Sequence, residues 1–242
     1  NFANKNFNTQ EFTNNSKNIL NKTLKKGEIF EEEDTSVQSD EMDLLYDILE
    51  ENNSEINLVR YTTSEINALF KEVKYDLEEV RDSKLVKPID IGLLPNEIKN
   101  ISNTKKRKEM FIKIVLPLIV KENNKIRIDR KRLFTILGKN SNTDIEKKWL
   151  EKKYKQYGVR QNDLSTLKIR MDEIPVSLAI AQAAKETGWG TSRFALKGNA
   201  LFGQWTWSGE GLKPKNAEKG EEHKVMKFHS LQLSVRAYLR NL

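Results

Sequence analysis

The chain has 242 residues and no cysteine, only two histidines, five prolines and 8% aromatic residues. Without cysteine there is neither a disulfide scaffold nor a thiolate metal site, and the redox compartment is left open. His223 and His229 alone give too few imidazoles for a histidine-rich metal centre. No apolar run reaches the roughly 20 residues of a membrane span; the longest, residues 112–120, is broken by Lys113 and Pro117. Hydrophobic residues make up 37% of the chain, enough for one modest core, and charged residues 32%, which leaves part of the chain as solvated tail. What is in excess is positive charge, 42 Lys plus Arg against 35 Asp plus Glu, a net +7. Such a balance draws anionic partners: nucleic acid, a membrane surface or an acidic wall polymer. Charge alone does not choose among them.

The composition shifts along the chain. Residues 1–25 hold eight Asn and few apolar side chains, and residues 27–59 hold twelve acidic residues with no Lys or Arg. We read 1–40 as a disordered, Asn-rich and acidic tail, and 41–99 as a helical N-terminal region of unnamed role. Within it, Met42, Leu45, Ile48 and Leu49 sit at helical spacing. A clearer helix is expected over 64–81, with Ser64 as cap and Ile66, Leu69, Phe70, Val73, Leu77 and Val80 as its apolar stripe. From 105 to 170 the balance reverses to twenty Lys plus Arg and seven Asp plus Glu. Expected there are a helix over 105–122 kinked at Pro117, one from Thr143 or Asp144 to Tyr157, and a short one capped by Asp163. Pro175 opens an Ala-rich helix that ends at Gly188. Residues 188–220 hold ten Gly or Trp, read as loops and a short hairpin, before a last helix over 231–239.

The residue that carries chemistry is Glu186, at the end of the Ala-rich helix. So small-sided a helix is expected to lie deep among others. Burial disfavours the carboxylate, the helix C-terminus repels an anion, and Trp189 beside it excludes water. A carboxyl that keeps its proton near neutral pH is what a general acid for glycoside cleavage needs. The bland reading is a solvated Glu186 paired with Arg193. Against it stands the company: Trp189, Phe202, Trp205, Trp207 and Tyr238 supply flat surfaces for sugar rings, and Gln182 and Ala183 leave room for a sugar to approach.

Residues 174–195, IPVSLAIAQAAKETGWGTSRFA, then 198–205, GNALFGQW, together with His223-Lys224-Val225, Phe228 and 234–238, resemble the signature of the bacterial glucosaminidase family (glycoside hydrolase family 73), specifically its Bax-like branch. The resemblance covers about 100–242. It implies a mainly α (α+β) fold, a lysozyme-like helical domain with a small β-hairpin lobe, preceded by the disordered and helical N-terminal region. It also implies endo-β-N-acetylglucosaminidase action on peptidoglycan glycan strands, cleaving after N-acetylglucosamine, with Glu186 as the general acid. A second acid in the β lobe falls by sequence order on Glu221 or Glu222, with Glu210 and Glu218 weaker. Gln182, Trp189, Asn199, Phe202, Trp205 and Tyr238 are the substrate-side residues; for Asn199 the alternative is a loop brace, and for Tyr238 a core residue. Two departures stand out. The family commonly has Asn-Asn-Leu where this chain has Asn199-Ala200-Leu201, and it continues past residue 242 into a segment with a site-lining Tyr, so the chain reads as C-terminally short.

This chemistry needs no metal or organic cofactor. The substrate implies the periplasm or cell envelope, reached by an export signal not visible in the chain. No groove-reading motif for nucleic acid is present. Two other readings stay open: a lytic transglycosylase, which shares the lone catalytic Glu but leaves an anhydro-sugar, and a wall-binding module that does not cut.

Overall fold

The computed structural model describes residues 58–206, 211–214 and 224–241. The chain divides into two units, Asn1–Gln38 and Ser39–Leu242, and every described residue lies in the second. The N-terminal tail and the helix expected over 41–51 lie outside the described residues. So do Trp207, Glu210, Glu218, Glu221, Glu222 and His223.

The stripe predicted as one helix over 64–81 forms two, α1 (Thr63–Glu72) and α2 (Leu77–Ser83). Thr62, not Ser64, caps α1 in a capping box with Glu65. The break falls at Lys74, which takes a left-handed φ of 51°. Asp76 then restarts the helix by accepting the Glu78 N–H at 2.7 Å. A short cap outcompetes the continuing apolar stripe because it satisfies backbone donors that the stripe leaves alone.

The connector after α2 ends in a 3-10 turn, Asn96–Asn100, and leads into α3 (Thr104–Leu137), 34 residues long with Pro117 inside. The expected end near 122 is overrun. Beyond it, Ile126, Leu133 and Ile136 continue the buried side, a stripe too sparse to read among the Lys, Arg and Asn around it. Helix α4 (Asp144–Gln156) carries a capping box between Thr143 and Glu146. It folds back along α3: Lys153 donates to Asp129 at 2.5 Å, Arg132 lies 4.7 Å over the Trp149 ring, and Lys139 pairs with Glu146.

Asp163 caps α5 (Leu164–Arg170) as expected. Its carboxylate accepts the hydroxyls of Ser165 and Thr166, each at 2.6 Å, and the Thr166 N–H at 3.0 Å. These bonds hold its pKa down to about 2. The unfolded carboxyl titrates near about 3.9, so on acidification the unfolded chain takes up this proton first. The stabilisation is therefore complete above about pH 4 and fades as pH falls towards 2. We predict that Asp163→Asn flattens the acid limb of the urea midpoint across that window and leaves its shape near neutral pH unchanged.

Helix α6 (Val176–Thr187) runs antiparallel to α3. At its start, Asn123 donates to the Ile174 carbonyl at 2.8 Å and accepts the Ile174 N–H at 3.1 Å. At its far end, Trp189 meets Phe111 edge to face at 6.0 Å. After a short α7 (Arg193–Gly198) come three strands, β1 (Trp205–Thr206), β2 (Gly211–Leu212) and β3 (Lys224–Met226), and then α8 (Leu231–Arg240). The sheet is antiparallel in the order β1-β3-β2, with Trp205 opposite Val225 and Leu212 also opposite Val225. The fold is thus mainly helical with a small β lobe, three-stranded where a hairpin was expected.

One buried cluster joins Ile66, Phe70 and Leu77 of the first two helices, Leu94 and Ile98 of the connector, and Phe111, Leu118, Ala183 and Val235 of the later ones. The N-terminal helices therefore pack on the body that carries α6. Arg60 strengthens this join, donating to the carbonyls of Leu94 and Leu196.

Candidate active site

Helix α6 is buried on one side only. Ala179, Ala183, Ala184 and Thr187 face the core, whereas Ser177, Leu178, Ala181, Gln182, Lys185 and Glu186 are exposed. The expectation of a helix buried all round is corrected here, and with it the burial of Glu186. Small residues at 181 and 183 had read as depth, and Ala183 also as room for a sugar. Instead Ala183 is fully buried in the core and offers a sugar no access, and Ala181 keeps the outer face flat. Leu178, Ala181 and Gln182 lie one and two turns before Glu186 on that same face, forming an open, partly apolar floor that leads to a carboxylate.

The end of α6 is fixed by its own hydrogen bonds. Gly188 is left-handed, with φ 56° and ψ 45°, and stops the helix. The buried Thr187 hydroxyl donates to the Ala183 carbonyl at 2.6 Å and accepts the Gly190 N–H at 2.9 Å. Trp189, at φ 61°, is half-buried against α3, with the Lys108 Nζ 4.8 Å over its ring. Gly190 is buried at φ +80°, and a Cβ there would lie 2.9 Å from Phe111 and 3.2 Å from Leu94. Gly190→Ala adds left-handed strain to overpacking, so we predict a loss of about 2 kcal/mol or more, read as a lower urea midpoint with unchanged slope.

The loop between α7 and β1 crosses in front of Glu186. Gly203 has φ +62°, a left-handed turn that favours glycine, and a Cβ on it would sit 3.3 Å from Glu186 Oε2, so the loop passes close to the acid. The loop is tied to α8, where Ser234 Oγ accepts the Leu201 N–H at 2.9 Å and the Tyr238 ring stacks on Phe202 at 3.8 Å, 4° from parallel. Ser234 and Tyr238, four residues apart, share a face of α8. Trp205 is half-exposed on β1, just past the loop.

The residues predicted from sequence thus divide. Glu186, Gln182, Phe202 and Tyr238 lie on α6, the loop that meets it, or the helix behind the loop, and Trp205 lies on β1 just past that loop. Asn199 sits elsewhere: it is buried, and its amide donates to the carbonyls of Phe228 at 2.8 Å and His229 at 3.2 Å, bracing the segment after β3. Tyr238 is buried, and its hydroxyl has no hydrogen-bond partner among the described residues; burial raises its pKa. Trp189 serves the α3–α6 packing. Arg193 is not on Glu186, since its guanidinium lies over the Phe194 ring and donates to the Lys213 carbonyl. Glu221 and Glu222 lie outside the described residues.

Two residues were missed from sequence. Ser234 pins the loop, and Gln204, next to Gly203, has both side-chain amide atoms buried without hydrogen-bond partners among the described residues. Only the i, i+4 pairing of Ser234 with Tyr238 left a trace in the sequence. Two cavities, of about 530 and 670 Å³, lie between α1, α2 and the start of α3; neither is lined by Glu186 or the loop. Glu186 therefore stands on an open surface, suited to a strand laid across it.

Residues 164–242 match the glucosaminidase family model, described as mannosyl-glycoprotein endo-beta-N-acetylglucosaminidase. Protein bax of Escherichia coli (strain K12) is 34% identical to the chain over 142 residues, 56% of this chain and 50% of that protein. Over these residues the chain is similar to the glucosaminidase family and to protein bax. It spans about half the length of that relative. No solved structure matches the chain. The match to the family model takes in α5, α6, the acid, the loop and α8. Among the described residues, no group of three His, Cys, Asp or Glu could hold a metal ion, and no helix is long and apolar enough to cross a membrane.

Proposed function

We propose that the chain is a glycosidase of bacterial peptidoglycan, an endo-β-N-acetylglucosaminidase that cleaves after N-acetylglucosamine, with Glu186 as its general acid. The observation that carries this reading is the close approach of Gly203 to the Glu186 carboxylate. It places an acid at the meeting point of an open helix face and an aromatic-bearing loop, within the segment that matches the glucosaminidase family.

In this reading a glycan strand runs over Leu178, Ala181 and Gln182 towards the loop. Glu186 donates its proton to the glycosidic oxygen, the C–O bond breaks and the departing sugar leaves as a neutral alcohol, while water bonds to the anomeric carbon and gives up a proton to a carboxylate. Glu186 is exposed, so the bound strand itself is what covers it. By the resemblance, Glu221 or Glu222 is the second carboxylate and assists the attacking water. Activity on such a substrate places the protein in the periplasm or cell envelope. The test is release of soluble fragments from purified peptidoglycan by the wild-type chain, measured beside the Glu186→Gln variant.

A further inference from the structure

The basic segment between 105 and 170 takes no part in the site around Glu186. Much of its charge lies on the hairpin of α3 and α4. On α3 the outward residues recur at spacings of three and four: Ile128, Lys131, Arg132 and Thr135, all exposed. On α4, Ile145, Trp149 and Lys152 lie one and two turns apart. The two rows meet where the Arg132 guanidinium covers the Trp149 ring. Ile128 is 67% exposed and Ile145 69%.

The acidic residues nearby do not neutralise this face. Asp129 is engaged by Lys153, Glu146 by Lys139 and Asp144 by Lys147. Glu151 points about 100° round the helix from Lys152. What remains outward is cationic, with large aliphatic side chains between the charges.

We propose that this face docks on an anionic lipid bilayer. A soluble polyanion, such as a nucleic acid or an acidic wall polymer, would use the cations and leave both isoleucines in water. A bilayer of acidic lipids uses both: lysine and arginine meet the headgroups, while Ile128 and Ile145 enter the boundary with the acyl chains. Trp149, with an apolar ring and a polar edge, suits that boundary. The face is independent of Glu186, so the catalytic reading and this one stand or fall separately.

The test is cosedimentation of the full chain with vesicles of phosphatidylglycerol and phosphatidylcholine in equal parts, against phosphatidylcholine alone. Binding to the anionic vesicles is expected to be at least about tenfold stronger. Changing Ile128→Gln and Ile145→Gln together is expected to weaken it about tenfold or more at constant charge, while Glu186→Gln leaves it unaltered. Quenching of wild-type tryptophan fluorescence by brominated lipids in the anionic vesicles reads insertion without any variant, and is expected. Absence of that quenching, no preference for anionic vesicles, a double variant that binds as the wild type does, or a wild type that prefers duplex DNA to the vesicles would overturn the proposal.

Discussion

Glu186→Gln is expected to lower the release of peptidoglycan fragments by about 10²–10⁴-fold, the range that a positioned proton donor contributes. The change keeps the size of the side chain and removes only the transferable proton. The cost to stability is expected to be small. Glu186 is exposed, its neighbour Gly203 presents backbone, and Arg193 is occupied by Phe194 and the Lys213 carbonyl. Loss of activity with an unchanged urea midpoint therefore separates a chemical role from a structural one. A variant that digests wall at the wild-type rate would remove Glu186 from the mechanism.

Glu122→Ala is expected to produce the largest loss of stability, about 3–5 kcal/mol. Glu122 is buried on α3, with its carboxylate facing α8. It accepts the Gln232 amide at 2.7 Å, Arg236 Nε at 3.2 Å and Arg236 Nη2 at 3.3 Å, and the Lys125 ammonium at 3.0 Å. Arg236 is itself nearly enclosed, and burial together with the Arg240 charge pushes its pKa down to about 10. Removing the carboxylate leaves that guanidinium desolvated without its anion. Gln232 and Arg236 bind one side of α8 to α3, while Ser234 and Tyr238 hold the site loop with another. The loss should therefore reach the active site as well: the urea midpoint falls, and the remaining folded protein digests wall more slowly. An isosteric Glu122→Gln keeps the Gln232 contact and should be milder. Equal effects from the two variants would show that packing, not the ion pair, matters at this position.

How far the sequence reveals this molecule depends on what each segment's signal competes with. Thr143, Asp163 and Pro175 mark helix starts cleanly because each offers a cap or a fixed φ immediately before an apolar period. The break between α1 and α2 is hidden because Val73, Leu77 and Val80 continue the period across it, and only Asp76, one short side chain, interrupts. The second half of α3 is hidden for the opposite reason: Ile126, Leu133 and Ile136 are outnumbered by charged residues facing solvent. Glu186 is legible as a helix-end carboxylate, but its exposure is not. Alanine and glycine mark both deep packing and open floors, and composition does not separate the two. Asn199 reads as a site residue by motif yet serves as a brace, because the β3–α8 segment that needs its amide lies thirty residues away. The contact between Gly203 and Glu186 spans seventeen residues and a turn of helix, which no local pattern records.

The most direct measurement is the mass of the glycan ends released when the wild-type chain digests purified peptidoglycan. A hydrolytic glucosaminidase acting through Glu186 predicts fragments ending in reducing N-acetylglucosamine, absent from the Glu186→Gln digest. Fragments ending in anhydromuramic acid, or no new ends at all, would contradict it.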